Sequence, residues 1–355
     1  MKNVFENEYP PVTIVIPMYN AERHIREVVR AVLGQDYPGE VEVIVVNDGS
    51  TDNSLEVVRS IQKEGGHQRL KVIDQPNQGA VGATNNGFKA AKYDIICSVD
   101  SDVVLRPDWL RKVVEEFSDP KVGAVQGYYA TPVGVSFWAR MMGYDVEARY
   151  DSIRGKYVTQ VCTGDTAYRR EALEKVGLFD PQFEYGYDND MSYRLLKAGY
   201  RLVFRKDAVC DHYWKADLAG YIKQQYRSAY GRMQLVRKHT ERMTGDSFSG
   251  LRMIMQVPLT LLFFTLLVLS AGSAVFFTPR SGWYLLVAAL SVLGVVFADR
   301  FAFAAGVYRK QKDPGVLLMP FVHLLRNAVW CAAFIGWIVG RSGNHGKRKV
   351  EQGNP

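Results

Sequence analysis

Cys97-Ser98-Val99-Asp100-Ser101-Asp102 closes a largely apolar run that begins at Tyr93. A buried strand that stops in Asp-x-Asp brings carboxylate oxygens to the edge of a sheet. There they suit a hard divalent cation carrying phosphate oxygens. The same tripeptide also opens turns and caps helices. The motif alone leaves both readings open, so the surrounding chain has to decide.

Outward from that stretch, strand and helix patterns alternate. Residues 12–16 are β-branched and are closed by Pro17, and residues 21–33 carry Ile25, Val28, Val29 and Val32 at helical spacing before Gly34. Residues 41–46 form a second apolar strand, 54–61 a helix, 70–73 a third strand, and 79–91 a helix of small residues. Apolar strands without alternation, separated by helices, predict a parallel sheet covered on both faces. In such sheets ligands bind beyond the carboxyl ends of the strands. Those ends read Pro17-Met18-Tyr19-Asn20, Asn47-Asp48-Gly49-Ser50, Asn77-Gln78-Gly79 and Asp100-Ser101-Asp102. Turn chemistry explains polar exits, but it does not require Asp at the second and fourth ends or a tyrosine at the first. Together the four ends indicate a nucleotide site.

Composition narrows the class. The chain has 355 residues, 47% of them hydrophobic, and a net charge of +7, so its length predicts a catalytic-sized domain plus a second part. Residues 253–278 hold no charged side chain, and 281–298 (extended by 301–308 across Asp299-Arg300) and 315–340 are further candidate spans. Basic surplus beside apolar runs points to an anionic membrane surface rather than nucleic acid. The four widely spaced cysteines form no Cys-x-x-Cys motif, which disfavours a disulfide framework or structural zinc. The polar first ten residues do not read as a signal peptide. Lys223, Arg227, Arg232, Arg237, Lys238, Arg242 and Arg252 precede the first span and only Arg280 follows it. The positive-inside rule therefore predicts an integral membrane protein with its first domain on the cytosolic face. The basic tail (Arg341, Lys347, Arg348, Lys349) favours two spans with an interfacial or re-entrant third segment over three.

The strand-end motifs resemble the family 2 glycosyltransferases in order and spacing. Asn47-Asp48-Gly49-Ser50-Thr51-Asp52, Asn85-Asn86-Gly87, Thr163-Gly164-Asp165 with Tyr168-Arg169-Arg170-Glu171-Ala172-Leu173, and Asp188-Asn189-Asp190 before Arg194 continue the match over roughly residues 11–240. The resemblance implies the A-type glycosyltransferase fold, a Rossmann-like, mostly parallel mixed sheet, followed by a C-terminal helical membrane region. It further implies a nucleotide-sugar donor, a divalent metal (Mn2+ or Mg2+) and inverting transfer. The expected division is a cytosolic nucleotide-sugar domain over 1–215, an amphipathic interfacial segment over 216–252, two to three membrane segments over 253–340, and a basic tail over 341–355.

On that resemblance, Pro17, Tyr19, Asn20, Glu22, Asp48, Gly79 and Asp100 line the nucleotide pocket; Tyr19 and Pro17 read equally well as packing residues. Asp102 is the first metal ligand, with Asp100 acting through water or on the ribose, and His212 either completes the shell or faces solvent. Asp188 is the base that takes the acceptor hydroxyl's proton, as inversion requires; the alternative is a helix cap. The family's usual Glu-Asp-x-Asp reads Tyr187-Asp188-Asn189-Asp190 here, so the glutamate is missing. Thr163, Gly164, Asp165 and Asp190 are assigned to the donor sugar and acceptor. Gln224 and Arg227 match the spacing of a Gln-x-x-Arg-Trp signature and are assigned to the diphosphate, but Ser228 replaces the tryptophan of processive synthases. The expected activity is transfer of a single sugar to a lipid-linked or membrane-proximal glycan acceptor. The alternatives are a polyprenyl-phosphate glycosyl synthase, a processive polysaccharide synthase, and a non-catalytic nucleotide-sugar-binding membrane subunit.

Overall fold

The computed structural model describes residues 9–64, 68–240 and 245–344. The first eight residues, Arg242 and the part of the basic tail from 345 to 355 lie outside the described residues. The chain divides into two compact units, Met1–Trp214 with Asp246–Phe248, and Lys215–Gly245 with Ser249–Pro355.

The first unit opens with β1 (Val12–Met18), α1 (Ile25–Leu33), β2 (Val41–Asp48), α2 (Ser54–Glu64), β3 (Leu70–Gln75), α3 (Gly79–Ala90) and β4 (Ile95–Val99). These four strands are mutually parallel, in the spatial order β3-β2-β1-β4. β1, β2 and β4 are buried along almost their whole length, as parallel strands with helices on both faces must be. α3 lies close to this sheet because Gly87 has no side chain: a Cβ there would meet Val15 Cγ1 at 2.2 Å.

The chain then continues through β5 (Val103–Leu105), α4 (Trp109–Glu115), β6 (Val122–Ala130), α5 (Phe137–Ser152), β7 (Tyr157–Val158), β8 (Asp165–Arg169), α6 (Arg170–Val176), α7 (Tyr187–Lys197) and β9 (Arg201–His212). β8 inserts antiparallel between β4 and β6. β9 runs parallel to β6, and the short β5 pairs antiparallel with the end of β9. The result is a mostly parallel mixed sheet, the A-type glycosyltransferase fold that the motifs imply.

One expected boundary shifts. Residues 21–24 form a turn rather than the first turn of α1. The backbone N–H groups of Asn20, Ala21 and Glu22 donate to Ser50 Oγ (3.0 Å), Ser54 Oγ (2.7 Å) and Asp52 Oδ2 (3.1 Å). Side chains from the loop after β2 and from the first residue of α2 thus take the N–H groups of the segment that periodicity assigns to helix.

The second unit holds α8 (Leu218–Lys238), the short α9 (Leu251–Ile254), α10 (Gln256–Phe276), α11 (Pro279–Gln311) and α12 (Met319–Asn344). Segments Leu251–Phe276, Pro279–Gln311 and Pro314–Val339 are long and apolar enough to cross a membrane. Asp299 and Arg300 do not interrupt α11, because Asp299 pairs with both Arg300 and Arg252, which lowers the cost of charge in lipid. The third segment, expected as interfacial or re-entrant, contains a continuous helix, and it is the most buried of the three. Its polar groups explain that burial: Arg326 donates to Gln256 Oε1 (2.8 Å), Asn327 to Thr260 Oγ1 (3.3 Å) and Trp330 Nε1 to Gln225 Oε1 (3.1 Å).

Gly87→Val is expected to destabilise the first unit by about 1–3 kcal/mol through overpacking. A drop of several degrees in the thermal midpoint of the purified full chain would show it; an unchanged midpoint would mean that α3 can move off β1 freely.

Candidate active site

The carboxyl ends of β1 and β2 are laced together. Asn20, in the left-handed region at φ 49, accepts from Thr51 N with its Oδ1 (2.8 Å). Glu22 Oε2 accepts from both Asn53 N (2.9 Å) and Asn53 Nδ2 (3.1 Å). Both residues, expected at the nucleotide, tie the loop after β1 to the loop after β2. Tyr19 projects from the same turn, 51% exposed, while Pro17 is half-buried in β1. Asp48 ends β2 only 2% exposed, and its Oδ1 accepts from Gln75 Nε2 and Gln78 N, both at 2.8 Å. Those bonds tie the second strand end to the third. Gly79 starts α3 at φ +79 with open space where a Cβ would stand.

The fourth strand end is held by backbone. Asp100 N donates to Gly164 O (3.0 Å) and Asp100 O accepts from Val103 N (3.0 Å). A Cβ on Gly164 would lie 2.4 Å from Asp100 Oδ2 and 2.7 Å from the Tyr129 hydroxyl. Gly164 is therefore a packing position that lets the Asp100 carboxylate settle beside Tyr129. Asp102 O accepts from Tyr213 N (2.9 Å), and Val103 pairs with His212 in the β5–β9 ladder. This pairing brings Asp102 Oδ1 to 3.9 Å from His212 Nε2. The imidazole stacks on Trp214 (3.8 Å between ring centres) and meets Tyr129 edge-on (4.8 Å).

Among the described residues no three His, Cys, Asp or Glu side chains are gathered as a metal cage. The expected trio of Asp100, Asp102 and His212 is instead a facing pair, Asp102 and His212, with Asp100 turned against Gly164. That pair still fits a first-row divalent ion. Two atoms 3.9 Å apart can both reach an ion at the usual distance of about 2.1 Å, and a carboxylate–imidazole set suits manganese.

Asp188 lies in the first turn of α7, after Gly186 at φ 80, and is half-buried. The helix N-cap is Gly186, so Asp188 is not the cap. Burial is the main cause that pushes its carboxyl up to about 6; the Asp246 charge adds to the rise, and the backbone N–H of Asn189 (2.9 Å) opposes it. With its amide oriented to suit both neighbours, Gln160 donates to Asp246 Oδ2 (2.9 Å) and accepts from Asn189 Nδ2 (2.8 Å). Tyr187, where the family's glutamate is missing, packs edge-on against Phe179.

The other expected sugar contacts are placed inward. Asp165 in β8 is fully buried, and Cys210 Sγ donates to its Oδ2 (3.5 Å). Burial holds its carboxyl well above the usual range, and the Asp100 charge adds to that. Asp190 is likewise fully buried, paired with Arg194 Nε at 2.7 Å. Arg194 in turn donates to the carbonyls of Val176, Gly177 and Leu178. Asp190 thus locks α7 to the turn before it, while Thr163 is buried beside Gly164. Gln224 and Arg227 lie one helical turn apart on α8, in the second unit. Sequence reasoning passed over Tyr129, Gln160, Trp214 and Asp246. Only Trp214 carried a signal, as an aromatic two residues from His212; Asp246 lies in a stretch read as interfacial, although Asp246–Phe248 belongs to the first unit.

The fold is that of the A-type glycosyltransferases. Residues 13–177 match the model of Glycosyl transferase family 2, and that part of the chain is a domain of this family. An uncharacterized glycosyltransferase of Nostoc sp. is 33% identical over 176 residues, 48% of this chain and 54% of the relative. A dolichyl N-acetyl-α-D-glucosaminyl phosphate 3-β-D-2,3-diacetamido-2,3-dideoxy-β-D-glucuronosyltransferase of Methanococcus voltae is 27% identical over 62% of this chain and 73% of its own length. The poly-β-1,6-N-acetyl-D-glucosamine synthase of Staphylococcus epidermidis is 27% identical over 62% and 54%. The chain thus spans about half the length of two of these three relatives. Among solved structures, a mannosyltransferase from Pyrobaculum calidifontis in complex with GDP-mannose and Mn2+ shares the fold, with TM-score 0.56, 21% identity and coverage of 91% of this chain and 87% of that one.

Replacing Asp190 by Ala is expected to cost about 3 kcal/mol, because the Arg194 charge loses its buried partner. Asp188→Asn removes a carboxylate that is already disfavoured by burial and should leave the thermal midpoint unlowered. Equal losses in the two variants would contradict the separation of a structural from a chemical aspartate.

Proposed function

We propose that the chain is a membrane-anchored, inverting glycosyltransferase that moves one sugar from a nucleotide-sugar donor to a lipid-linked or membrane-proximal acceptor. The observation that carries this reading is Asp188: a half-buried carboxylate in a helix first turn, poised near pH 6. A general base needs a pKa just below the working pH, where it is ionised yet still basic. Asp188 accepts the proton of the acceptor hydroxyl as that oxygen attacks the anomeric carbon. The bond to the diphosphate breaks on the opposite face, and the nucleoside diphosphate leaves.

The other residues position and hold. Tyr19 and Asp48 receive the nucleoside at the ends of β1 and β2, with Gln75 and Gln78 fixing the Asp48 carboxylate. Asp102 and His212 would hold a divalent ion, which when bound neutralises charge on the leaving diphosphate. Burial holds the Tyr187 hydroxyl well above its usual range, and the Asp100 and Asp188 charges add to that.

The lipid-linked acceptor draws support from the Methanococcus relative, whose name specifies a dolichyl phosphate-linked sugar acceptor, and from the three apolar helices. An anchor confines the site to the surface where such an acceptor resides. The described basic residues before α10, against Arg280 after it, support a cytosolic catalytic unit. The Staphylococcus relative favours a second reading, polymer synthesis. Ser228, in place of an aromatic that would stack on a growing glycan, opposes it.

Membranes containing the chain should transfer labelled sugar from one of a panel of nucleotide sugars, giving a single-sugar lipid product that chelator abolishes and Mn2+ restores. Long polymer as the product would replace this reading by the second. Asp188→Asn should reduce transfer by about 10²–10⁴-fold while donor binding is retained. For the unmodified chain, log kcat/KM for donor should climb with unit slope as pH rises to about 6 and level off above it, since the base works only when ionised. A profile flat through pH 6 would exclude Asp188 as the base.

A further inference from the structure

The second unit contains a cavity of about 650 Å³ among the C-terminal half of α8, the start of α10 and α12. Its volume falls in the range of small-molecule sites, yet its walls suit neither a nucleotide nor a free sugar. They are mainly apolar, with Val257, Leu261 and Phe334 among them. Among the described residues of its lining the charged groups are three arginines, Arg232 and Arg237 from α8 and Arg326 from α12, and none is Asp or Glu. Arg326 is buried and held by its bond to Gln256 Oε1, whereas Arg237 is exposed and Arg232 half-exposed.

Position along the helices identifies the level. From Leu251, the first residue of the first candidate span, Leu261 lies about 15 Å along the axis at 1.5 Å per residue. That is half of the roughly 30 Å apolar core of a bilayer. The cavity, lined here from Ser249 to Leu261, therefore begins at the basic end of the first candidate span and runs into its hydrocarbon level. An apolar cavity opening at that depth takes a hydrocarbon chain. Arginine forks beside it match phosphate oxygens in charge and geometry.

We propose that this cavity is a binding site for one phosphate-headed membrane lipid, its chain against Val257, Leu261 and Phe334 and its phosphate at Arg232 and Arg237. The inference rests on the membrane reading of α10 and α12 and names the lipid class that the proposed lipid-linked acceptor would present. Arg326, tied to Gln256, sets the inner wall and keeps the positive field directed at the same headgroup.

The test is native mass spectrometry of the detergent-solubilised full chain, without donor, mixed with equal amounts of a polyprenyl monophosphate and the matching polyprenol. One phosphate lipid should be retained at least tenfold over the polyprenol. Arg232→Gln/Arg237→Gln should reduce retention at least tenfold, and Leu261→Trp, which fills the hydrocarbon end and leaves both arginines, should do the same. Circular dichroism of both variants checks that the helices persist. Equal retention of phosphate and alcohol, no lipid retained by the unmodified chain, or undiminished retention in both folded variants would each overturn the proposal. Displacement of the lipid by millimolar inorganic phosphate would overturn it in favour of a free-anion site. Because no donor is present, the outcome is separate from sugar transfer. A chain that transfers sugar but keeps no lipid fails only here, and one that keeps lipid but transfers nothing fails only the enzymatic reading.

Discussion

The position of Asp100 and Asp102 depends on a reversal of chain direction in the sheet. β8 runs antiparallel to β4 and β6, and just before its start it presents the Gly164 carbonyl to Asp100 N–H. Three residues on, β5 turns to pair with the end of β9, which presents Tyr213 N–H to the Asp102 carbonyl. The two aspartates are thereby fixed by main-chain bonds, one to the residue before β8 and the other to the residue after β9. Main-chain bonds of this kind are strongly enforced, since a buried unpaired peptide group costs as much as a lost hydrogen bond. Without them the Asp102 carboxylate would have no fixed distance from His212.

Four acidic side chains near this edge meet different fates because their surroundings differ. Asp165 and Asp190 are both fully buried, but one rests on Cys210 and the other on Arg194. A charge without a cationic partner is disfavoured inside, while a paired one is held, so Asp165 is pushed towards the neutral form and Asp190 anchors α7. Asp48 has its Oδ1 filled by two donors from the third strand end. Asp188 alone combines partial exposure with a carboxyl raised to about 6. Environment, and not residue type, separates the proposed base from the scaffold.

The first half of the fold was legible because β1, β2 and β4 are continuous apolar runs and α1 repeats its apolar residues at helical spacing. The strand ends likewise pointed to the candidate edge, since ligands of parallel sheets bind beyond the carboxyl ends of the strands. What followed residue 100 was harder. β8 inserts into the middle of the sheet from far along the chain, and no local pattern states its partners or its direction. Asp165 and Asp190 sit in the right motifs, yet whether an aspartate faces a cavity or a buried arginine depends on tertiary contacts. Asp246 was out of reach for a related reason. Its neighbours Gln160 and Asn189 are distant in sequence, and it follows a basic helix that suggested a membrane surface.

The central claim is that the ends of β1, β2 and β4, with the end of β9, form one nucleotide site. Hydrogen exchange of the full chain, with and without a saturating nucleoside diphosphate and Mn2+, addresses it directly. The account predicts slowed exchange together in 17–22, 47–52, 100–103 and 212–214, and no comparable change around β7. Protection absent from these four segments, or confined to one of them, would contradict it.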